Sequence, residues 1–246
     1  MRKYILILLI FFFSSSFQVY GQMFSVQSNN ERSASTIPLN NVMGFVDIAE
    51  FNYFGSMSES TEIPNDIYNF SGNLYGARYE SPMLQLYAAF GSSLGEENDV
   101  RATLIGATLE SLYPILRREK INISIPFMLI TDYTLIRTNE TANSSAEFSQ
   151  SAVYFGSGII LSVRPAQKLR IVSKSIPAIG YSTGSLGAGG GASYKLHQQF
   201  RVYADRLVRQ VGFTAGVDLR FSRFDSNNER FKYDYSSISI VAGFTF

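Results

Sequence analysis

Apolar and polar side chains alternate with a period of two residues in repeated windows along this chain, and helical periodicity is weak everywhere. The pattern is clearest over residues 121–135, 192–205, 211–221 and 237–246, where one face of each window is almost wholly apolar. Successive side chains of a β-strand point to opposite faces, so these windows predict half-buried strands rather than helices. The mature protein is therefore predicted to be all-β.

Weaker windows of the same kind raise the predicted number of strands to about 10, within a range of roughly 8 to 12. These windows cover residues 44–54, 67–79, 83–91, 100–112, 150–163 and 169–181. The segments between windows alternate between short turns and longer polar loops. The predicted turns are residues 80–82, 114–120, 164–168 and 206–210, and the predicted loops are residues 56–66, 92–99, 137–147, 182–187 and 225–230.

Transmembrane barrels of bacteria join their strands by such alternating connections, with the short turns on the periplasmic side. The expected fold is therefore a single closed, antiparallel, up-and-down transmembrane β-barrel. An even number of strands places both chain ends on the periplasmic side. Closure would satisfy every backbone hydrogen-bonding group, which lipid cannot do.

The composition agrees with a membrane barrel and excludes several other classes. Aromatic residues make up 14% of the chain, with 15 Tyr and 20 Phe, as expected where rings lie at membrane–water interfaces. The net charge of +1 gives no basic field for nucleic acid. Because the chain has no cysteine, disulfides, thiolate metal sites and an acylated lipoprotein cysteine are excluded.

The N-terminus has the three parts of a secretory signal. Arg2 and Lys3 precede an apolar run over residues 5–13, and three serines and then small Gly21 follow it. The alternative is an uncleaved anchor, but the apolar run is about half the ~20 residues that a spanning helix needs. We predict a cleaved signal peptide over residues 1–21, a periplasmic lead-in over residues 22–41 and the barrel over residues 42–246.

The signal, the alternating strands and the closing sequence Ser-Ile-Ser-Ile-Val-Ala-Gly-Phe-Thr-Phe resemble a small bacterial outer-membrane β-barrel protein. The resemblance implies location in the outer membrane of a Gram-negative cell, contact with outer-membrane lipid, and biogenesis by the barrel-assembly machinery. Ile240, Phe244 and Phe246 match the C-terminal signature that this machinery reads. The Val-Tyr-Gly-Gln junction also resembles signal ends of the Bacteroidetes. No motif of an enzyme or transporter family is matched.

Charged residues on the predicted polar faces form the main candidate site. They are Glu110, Asp132, Arg170, Lys174, Lys195, His197, Arg201, Asp205, Asp218 and Arg220. Paired charges could fill a narrow lumen, or a charged lining could form an ion or solute path. We favour the filled lumen, because a barrel of about 10 strands is only slightly wider than the eight-stranded kind, whose interior side chains just fill.

His197 is the one histidine of the chain and could act as a base in a barrel hydrolase. A hydrolase would need a nucleophile or acid within reach of His197 near the outer rim, and no nucleophile motif accompanies it. Metal binding is disfavoured, since a single histidine without cysteine makes a poor zinc site. We expect no cofactor and no catalytic residues.

Three other patterns have simpler explanations than a functional site. The Gly-rich segment 185–191 lacks the Lys-Ser/Thr of a phosphate loop and precedes a strand, so it reads as a flexible loop or bulge. The sequons at Asn139 and Asn143 mark only a polar loop in a bacterial protein. Glu96, Glu97 and Asp99 could bind a divalent cation, but a solvated loop is the default.

The function expected from the sequence is structural or surface-interacting, with an unidentified surface ligand or partner protein. The first alternative is a narrow channel or transporter, which would need a continuous luminal path. The second alternative is an outer-membrane barrel hydrolase. A soluble secreted barrel or sandwich would need polar residues on the apolar faces, and few are present.

Overall fold

The computed structural model describes residues 40–53, 69–93, 99–140, 144–184, 190–208, 210–225 and 233–246. The described residues form eleven β-strands: β1 (Asn41–Tyr53), β2 (Phe70–Glu80), β3 (Leu84–Ser93), β4 (Asp99–Arg117), β5 (Ile121–Glu140), β6 (Ser144–Ser157), β7 (Ile159–Ala166), β8 (Leu169–Gly184), β9 (Gly191–Val208), β10 (Val211–Asp225) and β11 (Tyr233–Thr245). Within this part of the chain, no helix is long and apolar enough to cross a bilayer. The predicted signal peptide and residues 22–39 of the predicted lead-in lie outside the described residues.

The sheet is antiparallel throughout and closes on itself. The closing pair is β1 with β11, which runs from Asn41 opposite Thr245 to Tyr53 opposite Tyr233. A ring of ten strands with one extra strand, β7, results from the remaining pairings. The predicted all-β, closed antiparallel barrel of about 10 strands is therefore confirmed. Below, the end with the turns after β2, β4, β7 and β9 is called the turn end, and the opposite end the loop end.

The extra strand arises from a break inside the predicted window of residues 150–163. Strands β6 and β7 follow one another between β5 and β8, with Gly158 between them. Pro126 of β5 and Pro177 of β8 lie beside this break, and a proline has no N–H to donate to the ladder. A Cβ at Gly158 would be 1.9 Å from the carbonyl oxygen of Ser175, so only glycine fits there.

Several strands run further than the sequence predicted. Strand β4 passes through Pro114, where a turn was expected, and reaches Arg117 after a register shift. Strand β5 continues to Glu140 and β6 begins at Ser144, so most of the expected loop 137–147 is strand. The polar sequence of this stretch favoured a loop, whereas the backbone ladder continues to the pair of Glu140 with Ser144.

Large apolar side chains cover the outer wall of the barrel. Tyr181 and Tyr194 lie towards the loop end of this wall, and Tyr113, Phe213 and Phe244 lie towards the turn end, all of them exposed. Aromatic side chains at two levels with aliphatic side chains between them are the pattern of a membrane-spanning barrel. The wall is therefore built to face lipid.

The inward faces supply the core, which is divided between apolar and charged side chains. Near the loop end, aromatic residues pack together in a cluster that we call the aromatic plug: Phe51, Phe70, Phe148, Phe224 and Tyr233. A second, smaller apolar group contains Met128, Ile130, Tyr154 and Ile176. The middle of the barrel and the half towards the turn end carry the charged residues.

Candidate functional site in the barrel interior

The charged residues singled out in the sequence all lie on the inward faces of five strands, which are β4, β5, β8, β9 and β10. Six are buried: Glu110, Lys174, Lys195, Arg201, Asp218 and Arg220. Four are half-buried: Asp132, Arg170, His197 and Asp205. The alternation of each strand in a closed sheet directs these side chains towards one another.

Asp218 on β10 is the centre of the largest ion-pair group. Its carboxylate accepts hydrogen bonds from both terminal nitrogens of Arg201, and the Nη2–Oδ2 distance is 2.7 Å. It also accepts a hydrogen bond from Arg78 on β2. Arg201 is 2% exposed and Asp218 is 0% exposed. Gly216 lies directly opposite Arg201, and a Cβ there would be 2.9 Å from Cδ of Arg201. Glycine thus makes room for the buried guanidinium.

Arg220, two residues further along β10, binds Asp47 of β1. Its guanidinium also lies 5.2 Å from the ring centroid of Tyr87 and 5.8 Å from that of Phe45. Arg78 lies 5.2 Å from the same Phe45 ring. Two arginines therefore share one aromatic ring, and each retains a carboxylate partner, as buried cations require.

Two further ion pairs cross the lumen between strands that are not neighbours. Lys195 of β9 binds Asp132 of β5, and the Asp132 carboxylate also accepts a hydrogen bond of 3.0 Å from the Tyr87 hydroxyl. Lys174 of β8 binds Glu110 of β4 at 2.5 Å. These contacts cross the barrel interior at two levels.

Close to the turn end, Arg170 and Asp205 form a more open pair at 3.4 Å. The guanidinium of Arg170 also lies 4.2 Å from the ring centroid of Tyr203. This pair is more accessible than the Asp218 group. It lies where the interior meets solvent.

Sequence reasoning missed three charged residues of this interior: Asp47, Arg78 and Glu80. Asp47 shares the inward face of β1 with buried Phe45 and Phe51, so the sequence does not mark this face as polar. The opposite, lipid-facing side of β1 is also largely apolar, which weakened the alternation. One charge among apolar residues was the available signal.

His197 lies in the middle of β9, with its side chain 12% exposed and Nε2 at 3.9 Å from Asp218. Asp218 is already bound to two arginines, so it does not form a dedicated partner for the imidazole. No group of three or more potential metal ligands occurs in the described ranges. The Gly-rich residues 185–189 and the acidic pair Glu96 and Glu97 lie outside those ranges.

One cavity inside the barrel is small. A cavity of about 20 Å³ lies between the aromatic plug and the ion pairs, beside Tyr87, Lys195, Arg220 and Tyr235. This volume is close to that of one water molecule. The larger hollows, of about 380 to 690 Å³, are open grooves lined largely by outward-facing residues such as Val153.

The three residues of the C-terminal signature lie on the lipid-facing side at the closing strand. Ile240, Phe244 and Phe246 are 50–66% exposed. The backbone of Phe246 exchanges two hydrogen bonds with Asn40, which ties the two ends of the described barrel together. Recognition of these residues by the assembly machinery remains a prediction.

Comparison with known proteins gives likenesses of shape. No protein-family model matches the sequence, and no curated protein matches it. The outer membrane protease OmpT from Escherichia coli is 8% identical, with 86% of this chain and 97% of that chain covered and a TM-score of 0.42. Ail, the attachment invasion locus protein of Yersinia pestis, is 10% identical over 85% of this chain and 99% of its own, with a TM-score of 0.22. The toluene transporter TbuX of Ralstonia pickettii is 10% identical, with 86% of this chain and 74% of that chain covered and a TM-score of 0.30. What those proteins bind or cleave does not transfer to this chain.

Proposed function

We propose that this chain is an outer-membrane barrel of structural or surface-interaction type whose lumen does not conduct. The observation that carries the proposal is the presence of two salt bridges across the interior, Lys195 with Asp132 and Lys174 with Glu110. The cavity of about 20 Å³ beside Lys195 and Arg220 is too small for a hydrated ion or a sugar. A solute would have to displace buried charged side chains to pass.

The charges of the interior also balance, which argues against an ion path. Five buried cations face five carboxylates in the interior. The cations are Arg78, Lys174, Lys195, Arg201 and Arg220. The carboxylates are buried Asp47, Glu80, Glu110 and Asp218 and half-buried Asp132. Each of these cations is in a salt bridge. Separating such a pair leaves an uncompensated buried charge, at a cost of about 3–5 kcal/mol. A selective channel instead keeps weak, replaceable sites along its path.

A filled interior leaves the loops and the outer wall as the surfaces on which a function can lie. The longest connection between strands, residues 54–69, and the polar segment 226–232 both leave the barrel at the loop end. Loops on a rigid scaffold are the usual place for recognition. The proposal assigns no catalytic role to His197, which lies in the middle of the lumen rather than at a rim.

Solute permeation into proteoliposomes tests the proposal. Purified protein would be reconstituted into vesicles, and their swelling in a small sugar would be compared with that of protein-free vesicles and of vesicles holding a general porin. We expect the rate of the protein-free vesicles. Swelling at a porin-like rate by correctly folded protein would contradict a closed lumen.

A further inference from the structure

Basic residues gather at the tips of three consecutive hairpins at the turn end, and we call this group the basic arc. It consists of Arg117, Arg118, Lys120, Arg164, Lys168 and Arg206. The three hairpins, β4–β5, β7–β8 and β9–β10, are neighbours around the ring. Backbone bonds join the tips, from the Arg164 N–H to the Lys120 carbonyl at 2.8 Å and from the Asp205 N–H to the Lys168 carbonyl at 2.7 Å. The arc is therefore one continuous surface.

Within the described part of the chain, acidic side chains compensate this surface only in part. The two carboxylates near it are Glu119 and Asp205, and Asp205 already binds Arg170 from inside the barrel. All the arc cations except half-buried Arg164 are exposed, and none forms a salt bridge with a described residue. Six cations on adjoining tips repel one another unless anions lie between them.

The lipid-facing residues next to the basic arc indicate its position relative to the membrane. Exposed Tyr113 and Ile115 precede Arg117 on β4, and exposed Ile121 follows Lys120 at once on β5. Leu161 precedes Arg164 on β7 in the same way. The cations thus begin where the apolar wall ends, which is the level of the lipid headgroups. Long basic side chains at this level lay their stems on apolar surface and place their charges among the headgroups.

We propose that the basic arc binds the phosphate groups of anionic glycerophospholipids in the leaflet at the turn end. Arginine pairs with phosphate through two parallel N–H bonds, and the phosphate groups are the anionic groups at the level of the headgroups. Clusters of basic residues beside a membrane-spanning segment attract anionic lipid in general. The opposite half of the turn end, with the β2–β3 turn and Phe246, has no basic residue in its turn, so lipid binding would be one-sided. This inference depends on the membrane-facing wall and not on the closed lumen.

Spin-labelled lipids measure this selectivity directly. The protein would be reconstituted in phosphatidylcholine, and the motionally restricted fraction of a phosphatidylglycerol probe would be compared with that of a phosphatidylcholine probe. We expect the phosphatidylglycerol probe to be preferred about fivefold, which is the equivalent of ~1 kcal/mol for a basic residue near an anionic surface. The preference should fall at high salt, because these charges are exposed.

Variants distinguish the basic arc from a general effect of net charge. The triple change R117Q, R118Q and K120Q removes three of the six cations and should lower the preference from about fivefold to about twofold. The matched single changes are K120Q in the arc and R223Q, which removes an exposed cation at the loop end and should leave the preference unchanged. A heat-modifiability gel confirms that each variant is folded.

Three results would overturn the proposal. They are equal affinity for both probes in the wild-type protein, an unchanged preference in the folded triple variant, and equal losses of preference in K120Q and R223Q.

Competition with inorganic phosphate is the last part of the experiment. If phosphate displaced the probe far better than sodium chloride of equal ionic strength, the arc would be a site for soluble phosphate, and the assignment to lipid would be wrong.

Discussion

The two halves of the barrel interior are filled by different chemistry inside the same wall. Near the loop end, Phe51 stacks on Tyr233 with ring centroids 4.9 Å apart and packs on Phe148 at 5.5 Å. Towards the turn end, Asp218 binds Arg201 of the neighbouring strand β9 and Arg78 of β2. The hydrophobic burial of the rings is non-directional, whereas a buried ion pair requires each partner in place. The comparison teaches that one interior can be packed at one end by contacts that tolerate substitution and at the other end by contacts that do not.

The largest effect should come from removing the carboxylate shared by two arginines. Asp218→Ala leaves Arg78 and Arg201 buried without their main partner, and we expect a loss of ~3–5 kcal/mol in the free energy of unfolding. The matched control is Asp234→Ala, whose exposed pair with Arg223 at 3.9 Å should be worth less than ~1 kcal/mol. Urea unfolding in lipid vesicles measures both. Equal losses in the two variants would contradict the buried network.

A charge on the outer side of the same strand tests the wall between lumen and lipid. Val217 is the neighbour of Asp218 and is exposed on the lipid-facing side. Val217→Arg, or Leu129→Arg on β5, should cost ~2–4 kcal/mol if these positions lie near the middle of the membrane. Val208→Arg, at the turn end of β9, should cost less than ~1 kcal/mol by the same depth dependence. Equal tolerance of arginine at positions 217 and 208 would count against a lipid-facing wall.

The aromatic plug should tolerate an apolar replacement better than the ion-pair group does. Phe51→Leu retains most of the buried apolar volume and loses its ring contacts, at a cost of about 1 kcal/mol. Arg201→Met is a comparable change of a cation to an apolar side chain, but it deprives Asp218 of its bidentate partner. We expect Arg201→Met to lower the unfolding free energy more than Phe51→Leu. The reverse order would show that the two halves do not differ as described.

The smallest effect on stability is expected at the chain end, where assembly should suffer instead. The side chain of Phe246 is half-exposed, so Phe246→Asp should change the unfolding free energy of folded protein by about 1 kcal/mol or less. The amount of barrel in the outer membrane should nevertheless fall severalfold, because the C-terminal signature is altered. Quantitative blotting of membrane fractions measures it, with Thr245→Ser as the control. Normal membrane levels of the Phe246 variant would refute the role of the signature.

The wall of this barrel could be predicted from the sequence, but its interior could only be predicted in part. Strands such as β10 alternate cleanly, with Val217 and Leu219 facing out and Asp218 and Arg220 facing in, so their facing is readable. Strand β1 buries Phe45 and Phe51 inside while it exposes Ile48 outside, and both faces look apolar. The aromatic plug was missed for that reason.

The partners of the interior charges could not be predicted either. A pair such as Lys174 with Glu110 joins residues 64 positions apart, on strands that are not neighbours. Its existence depends on the closure and stagger of the whole ring, which no local pattern encodes. Breaks such as Gly158 were missed because the prolines that cause them lie on other strands.

Ion conductance through the purified protein in a planar bilayer tests the central claim most directly. The account predicts no stable, porin-like current steps from the wild-type protein. It also predicts that Arg201→Ser combined with Arg220→Ser increases ion leakage and lowers thermal stability together, because both arginines occupy the lumen and pair with buried carboxylates. A large and stable conductance from the folded wild-type protein would contradict the closed lumen and favour a channel.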